Sequence, residues 1–409
     1  MSLSVKLKLS FMMFLQFFIW GGWFVTLGTF LGNNLNASGG EIALAFSTQS
    51  WGAIIAPVFI GLIADRYFNA ERVLGVLHLV GGGLLFFMSQ TEVFSAFYPY
   101  VFCYMLLYMP TLALVNSVSF NQMKDTALEF PIIRTFGTVG WIISGIVISY
   151  IFGWDSIDAI ASGKLNNTFK MVALASIILG LFSFGLPKTP PFADKQKKIT
   201  LRDALGLEAL KLLKDRNFFM FFVASILICI PLAFYYQQAN PFLVELGMSN
   251  ATAKMSLGQV SEVLFMLLLP IFFIRFGFKN TILVGMIAWV IRYLLFAYGD
   301  VGDNTLMLIV GILLHGMCYD FFFVSGQIYT DFKAGEKVKS AAQGLITLAT
   351  YGIGMLIGFW IAGKISDTFM IEPGKHDWNM IWKFPAFFAL IIFTLFFLIF
   401  KNEEIKYKN

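Results

Sequence analysis

"PKTPPFADKQKKITLRDALGLEALKLLKDR", Pro187 to Arg216, is the one long polar segment in a chain that otherwise reads as apolar runs. It opens with prolines, which end a helix, and then turns basic and amphipathic, the pattern of a linker carrying a surface helix. On each side of it lie about six apolar segments of roughly 20 residues, the length that carries a helix across a ~30 Å hydrocarbon core. This single interruption decides the fold: an N-terminal bundle over 1–187, a cytoplasmic linker over 188–215, and a C-terminal bundle over 216–409.

Composition agrees. Of 409 residues, 58% are hydrophobic and only 13% charged, with mean hydropathy +0.76. A soluble domain carries about 25% charged residues because its surface faces water. The reading is an all-α integral membrane protein, without the two-residue alternation of an outer-membrane barrel. Spans are expected near 9–32, 41–65, 72–91, 95–121, 132–153 and 168–187 in the first half. The second half is expected to span near 216–239, 254–275, 280–299, 305–330, 339–366 and 380–400. The lysines before the first apolar run imitate a signal peptide, but no small-residue cleavage site follows, so this run is read as the retained first span.

Charge sets orientation. With both termini in the cytoplasm, roughly 21 of the 29 basic residues fall on the inner side. Outer loops hold acids instead, among them Glu92, Asp155, Asp158, Glu245, Asp300 and Asp303. The net charge of +5 is therefore a topology signal and requires no nucleic-acid partner. Cys103, Cys229 and Cys318 lie in apolar segments without disulfide or zinc spacing, and the three histidines form no metal pair, so neither metal nor cofactor is expected. Neither H-E-x-x-H nor G-x-S-x-G occurs, which argues against an intramembrane enzyme.

Four spans carry polar groups that a membrane interior makes costly. On helix 5, "PIIRTFGTVGW" places Arg134, Thr138 and Trp141 at i, i+4 and i+7, on one stripe suited to a polar, planar ligand. The alternative is that Arg134 snorkels to lipid phosphate while Trp141 packs. On helix 8, Gln259 and Glu262 share a face, and an acid at the bilayer centre costs about 2.5–3.5 kcal/mol on insertion scales. Helix 10 holds His315, Tyr319 and a second deep acid, Asp320. Near the outer end of helix 7, Pro241 predicts a break or distortion, and Tyr236 and Gln237 either reach a cavity or sit at the interface. Arg292 and Lys364 are read as structural.

The loops "DRYFNAERVLG" and "IRFGFKNTILVG" echo each other at matching places in the two halves, as in duplicated secondary transporters. In "GLIADRYFNAER", Gly61, Asp65 and Arg66 at the end of helix 2 resemble the G-x-x-x-D-R gating signature of the major facilitator superfamily. Further strings, "FFIWGGWFVTLGTF", "FPIIRTFGTVGW", "GQVSEVLF", "AWVIRYLLFAYGD" and "YDFFFVSG", resemble the nucleoside:proton symporter family within that superfamily, along nearly the whole chain.

The resemblance implies twelve spans in two six-helix halves and proton-coupled nucleoside uptake by alternating access. A sugar porter and a non-transporting membrane sensor are the rival readings. It implies substrate contacts from Arg134, Thr138, Gln259, Glu262 and Asp320, with Trp141, His315 and Tyr319 standing where the family has phenylalanine, tyrosine and phenylalanine. Helix 7 departs most, because the family's Gln and Asn positions fall at Ala233 and Tyr236, with Gln237 nearby. Glu262 or Asp320 is expected to carry the proton, since burial opposes a carboxylate's charged form. A monomer in a bacterial inner membrane, with nucleoside, proton and lipid as its partners, completes the expectation.

Overall fold

The computed structural model describes residues 1–59, 67–191 and 207–403. The chain forms two compact units, one comprising Met1–Ala204 with Ser249–Ala253 and the other Leu205–Met248 with Lys254–Asn409.

The first unit contains α1 (Leu3–Phe24), α2 (Leu27–Asn34), α3 (Gly39–Phe59), α4 (Ala70–Met88) and α5 (Phe94–Asn121). It continues with α6 (Thr126–Ile146), a π-helical turn at Val147–Ile151, a short α7 (Ile157–Ala161) and α8 (Asn167–Ser183). The second unit begins with a 3₁₀ segment at Leu207–Lys214 and α9 (Arg216–Glu245). After α10 (Ala251–Met255) come α11 (Leu257–Tyr298), α12 (Thr305–Tyr319), α13 (Ser325–Thr347), α14 (Met355–Thr368) and α15 (Trp378–Ile399). Two π-helical segments join α12 to α13 (Asp320–Val324) and α13 to α14 (Leu348–Gly354), and a two-stranded hairpin, β1 (Met370–Glu372) with β2 (Lys375–His376), precedes α15.

Ten helical stretches among the described residues are long and apolar enough to cross a membrane. One of them, Ala251–Tyr298, is 48 residues long and turns at Gly277 (φ 74), so it holds two spans. Only glycine takes that left-handed backbone without strain, which is why the turn sits there. With the 21-residue α3 the arrangement is consistent with twelve spans. The break expected at Pro241 does not occur: α9 runs unbroken from Arg216 to Glu245 through both Pro231 and Pro241. Membrane helices tolerate such prolines where neighbouring groups re-satisfy the freed backbone carbonyls.

Small residues set the helix crossings, because lipid gives apolar helices no hydrophobic reason to associate. In the first unit α1 and α6 meet at Gly140, where a Cβ would lie 2.1 Å from the Phe14 carbonyl oxygen. In the second, α11 and α12 meet at Gly316, where a Cβ would lie 2.4 Å from the Glu262 amide nitrogen. The Ser261 hydroxyl secures that crossing by accepting from the Gly316 N–H at 3.0 Å.

The first unit's interior also holds a polar chain across four helices. His78 Nε2 lies 2.8 Å from Gln16 Oε1, and its Nδ1 lies 3.1 Å from the Ser176 hydroxyl. The Gln16 amide donates to Thr111 at 2.7 Å, and the Tyr108 hydroxyl donates to the Gln16 carbonyl at 2.7 Å. Each of these side chains is buried, and a satisfied buried network fixes one packing among the many an apolar bundle would allow.

Candidate functional site

In the first unit the expected stripe on α6 exists and is lined by α1. The Arg134 guanidinium lies 4.1 Å from the centroid of the Phe17 ring. Gly137 makes room for it, since a Cβ there would sit 2.8 Å from Arg134 Nη1. Trp141, one turn beyond the half-buried Thr138, meets Trp20 edge to face with centroids 5.8 Å apart. Trp20 in turn meets Tyr108 at 5.7 Å. The result is a wall of flat rings with a guanidinium at one end and a hydroxyl between, the chemistry that grips an aromatic base bearing polar edges. The sequence reading passed over Trp20. Its indole N–H is buried without a partner among the described residues, and its i−3 and i+4 neighbours Phe17 and Phe24 are the signal that marks it as part of a lining stripe.

In the second unit, α9, α11 and α12 converge. Glu262, half-buried on α11, interacts electrostatically with Tyr235 and Tyr236 of α9 and with Tyr319 and Asp320 at the end of α12. The helix crossing at Gly316 brings the Glu262 backbone to within a methyl group's width of α12, so the two deep acids fall in one neighbourhood. Gln259 is half-buried one turn earlier on α11. Asp320 opens the π-helical turn and is 0% exposed, with both carboxyl oxygens lacking a partner among the described residues. A carboxylate sealed in that way would pay the desolvation cost of its charge in full. π-turns inside helices often mark functional sites, and here the extra residue re-aims the side chains that follow.

The Tyr319 hydroxyl lies 2.5 Å from that of Tyr351, which comes from the other π-helical segment. Gln237 is fully buried with both amide atoms unpartnered among the described residues, an unusual condition for a group with four hydrogen-bonding positions. His315 stacks on Tyr235 with centroids 5.0 Å apart and lies 3.1 Å, through Nδ1, from Nη1 of Arg292. Arg292 is itself 0% exposed and 3.6 Å over the Tyr235 ring.

Arg292, expected to be merely structural, thus adjoins the residues singled out from the sequence. Tyr235 and Tyr351 were missed, because a tyrosine in an aromatic-rich span looks like packing until its neighbours are known. Gly61, Asp65 and Arg66 lie outside the described residues. Among those residues no cluster of three or more His, Cys, Asp or Glu side chains could hold a metal ion.

A bundle of this topology, with paired deep acids in one unit and an aromatic–guanidinium wall in the other, defines a secondary transporter of the major facilitator fold. Residues 1–405 match the family described as Nucleoside H+ symporter, and the chain belongs to that family. It is similar to YegT of Escherichia coli (strain K12), with 42% identity over 97% of this chain and 94% of that one. It is also similar to the xanthosine permease of the same organism, at 33% identity over 99% of each. Its fold superposes on a crystal structure of the nucleoside transporter NupG (an aspartate-to-alanine mutant) with a TM-score of 0.90 at 30% identity, covering 97% of this chain and all of that one.

Proposed function

We propose that the chain takes up nucleosides together with protons by alternating access, as a monomer in a bacterial inner membrane with both termini in the cytoplasm. Family membership supplies the reaction class, and the Lys/Arg bias supports the orientation. The residues proposed to contact the substrate are Arg134, Thr138, Trp141, Tyr236, Gln237, Gln259, Glu262, His315, Tyr319 and Asp320. The rings stack on the base. The amides, hydroxyls and guanidinium bond its edges and the ribose hydroxyls.

One observation carries the coupling assignment: two acids lie within electrostatic reach of each other, and one of them, Asp320, is sealed from water without a partner. Two neighbouring acids, one of them buried, do not both ionise at low cost, so they share a protonation event that a substrate can bias. The proton taken up from outside neutralises the pair, and loss of that proton on the inner side releases it. Gly61, Asp65 and Arg66 form the gating element by sequence resemblance.

The test is uptake of labelled uridine and adenosine into proteoliposomes with an imposed pH gradient. Concentrative uptake is expected from the native protein and is lost in Glu262→Gln or Asp320→Asn. If both variants accumulate substrate like the native protein, the coupling assignment is wrong. If free ribose competes as well as free base does, the substrate is a sugar instead.

A further inference from the structure

Arg292 and His315 form a pair whose chemistry fixes a protonation state. A guanidinium is always charged and has only N–H donors, with no lone pair to offer. Nη1 of Arg292 lies 3.1 Å from Nδ1 of His315. The contact is a hydrogen bond only if Nδ1 is the acceptor, and an imidazole whose Nδ1 accepts is neutral and carries its proton on Nε2.

The surroundings hold both partners in that geometry. Both rest on Tyr235, with the guanidinium 3.6 Å over its ring and the imidazole stacked on it at 5.0 Å. Trp289 and Phe296 each present a ring 5.6 Å from the guanidinium carbon, so the charge is solvated by aromatic faces. On its other side His315 is seated against α11 at Gly258, where a Cβ would lie 3.2 Å from the His315 Cβ. An alanine at 258 would crowd His315, which would have to give by a few tenths of an ångström.

The Nε2 edge has no protein partner among the described residues. Unlike Nε and Nη2 of Arg292, it is not among the atoms sealed from solvent without a partner. It is therefore a donor waiting for an acceptor.

We propose that Arg292 is a specificity-determining positioning residue. By donating to Nδ1 it locks His315 as the neutral Nε2–H tautomer, which presents a donor-only edge and selects nucleosides whose base offers a carbonyl there over those offering an exocyclic amine. This rests on the nucleoside reading above, and it deepens it in two respects. It names the preferred bases as oxo-bases, and it keeps His315 a neutral donor while Glu262 and Asp320 handle the proton, because a guanidinium held against Nδ1 leaves no site for a second proton.

Two measurements test it. The first is the nitrogen spectrum of 15N-histidine-labelled protein without ligand. The chain has three histidines, so a His315→Phe sample assigns the signal. The expected result is a bare Nδ1 and a protonated Nε2, unchanged across the window near pH 6.5 where a free imidazole titrates. Arg292→Met is expected to release the ring to mixed tautomers that titrate. If that variant does not fold, the native spectrum decides alone. A native His315 that is protonated on Nδ1, or on both nitrogens, overturns the proposal.

The second measurement is binding to two matched pairs, uridine with cytidine and inosine with adenosine. The native protein is expected to prefer the oxo member of each pair. His315→Phe, which keeps the stacking ring and removes the donor, should lower that preference by roughly three- to tenfold. An unchanged ratio overturns the selection. Failure to bind any of the four overturns the functional reading itself, and is told apart from a wrong tautomer because the spectrum is taken without ligand.

Discussion

Asp320 and Trp20 show how single side chains take their meaning from what is missing around them. Each carries buried polar atoms that have no partner among the described residues, and leaving such a group unpaired costs roughly 1–3 kcal/mol. A protein keeps that cost where a ligand or a proton relieves it. Asp320→Asn keeps size and removes the ionisable proton, and the melting temperature is expected to change by no more than a few degrees. Exchange of labelled nucleoside between equal pools should persist in this variant while concentrative uptake is lost. Loss of both would leave Asp320 a substrate contact and remove the evidence for its part in coupling. Trp20→Phe keeps most of the ring and removes the indole N–H. A roughly three- to tenfold weaker nucleoside affinity is expected in a titration, and an unchanged affinity would mark the indole as packing alone.

Helix crossings carry these side chains to their places, and the crossings depend on the absence of a methyl group. Gly316→Ala would set a Cβ 2.4 Å from the Glu262 amide nitrogen, and Gly140→Ala would set one 2.1 Å from the Phe14 carbonyl oxygen. Overpacking of this kind costs about 1–3 kcal/mol, read as a lower melting temperature, and at Gly316 it also displaces Glu262 and should weaken uptake. Gly83 is the control, since nothing lies within 4 Å of an added Cβ there and alanine suits a helix interior. Gly83→Ala should melt no lower than the native protein.

At the start of α9 the Asp215 carboxylate caps the helix by accepting from the Phe218 N–H at 2.8 Å and receives Lys333 at 3.1 Å. Partial burial pushes that carboxyl up, but the Phe218 N–H and Lys333 outweigh it and hold it below the usual aspartate value. A depressed carboxylate stabilises the fold above its unfolded value, near pH 4, and that stability is lost as pH falls through the lower folded value. Melting temperatures taken from neutral to strongly acid pH should show this loss, and Asp215→Asn should flatten it.

For the molecule as a whole, coupling is a thermodynamic property that no one residue holds. Accumulation in vesicles should scale with the inward proton gradient and collapse when a protonophore dissipates it, while exchange between equal pools continues. Accumulation that survives the protonophore would exclude proton coupling in this chain. Light scattering on the detergent-solubilised protein should give the mass of one 46.0 kDa chain plus bound detergent. A mass of two chains would overturn the monomer.

Much of this was legible from residue order alone. Span length and the scarcity of charge determined a membrane bundle, because a bilayer admits only long apolar helices with every backbone group paired within them. The polar stretch at Pro187–Arg216 marked a division between two halves, and the cost of burying charge singled out Arg134, Glu262 and Asp320 as candidates. Tertiary structure alone decided which neighbours those groups have. Tyr351 reaches Tyr319 through a π-turn that no periodicity announces, Trp20 faces Trp141 because Gly140 lets two helices touch, and Arg292 meets His315 across two spans. Sequence reports what a side chain costs in lipid, since that cost belongs to the residue. What relieves the cost belongs to a pair, and pairs between helices exist only once the chain has packed.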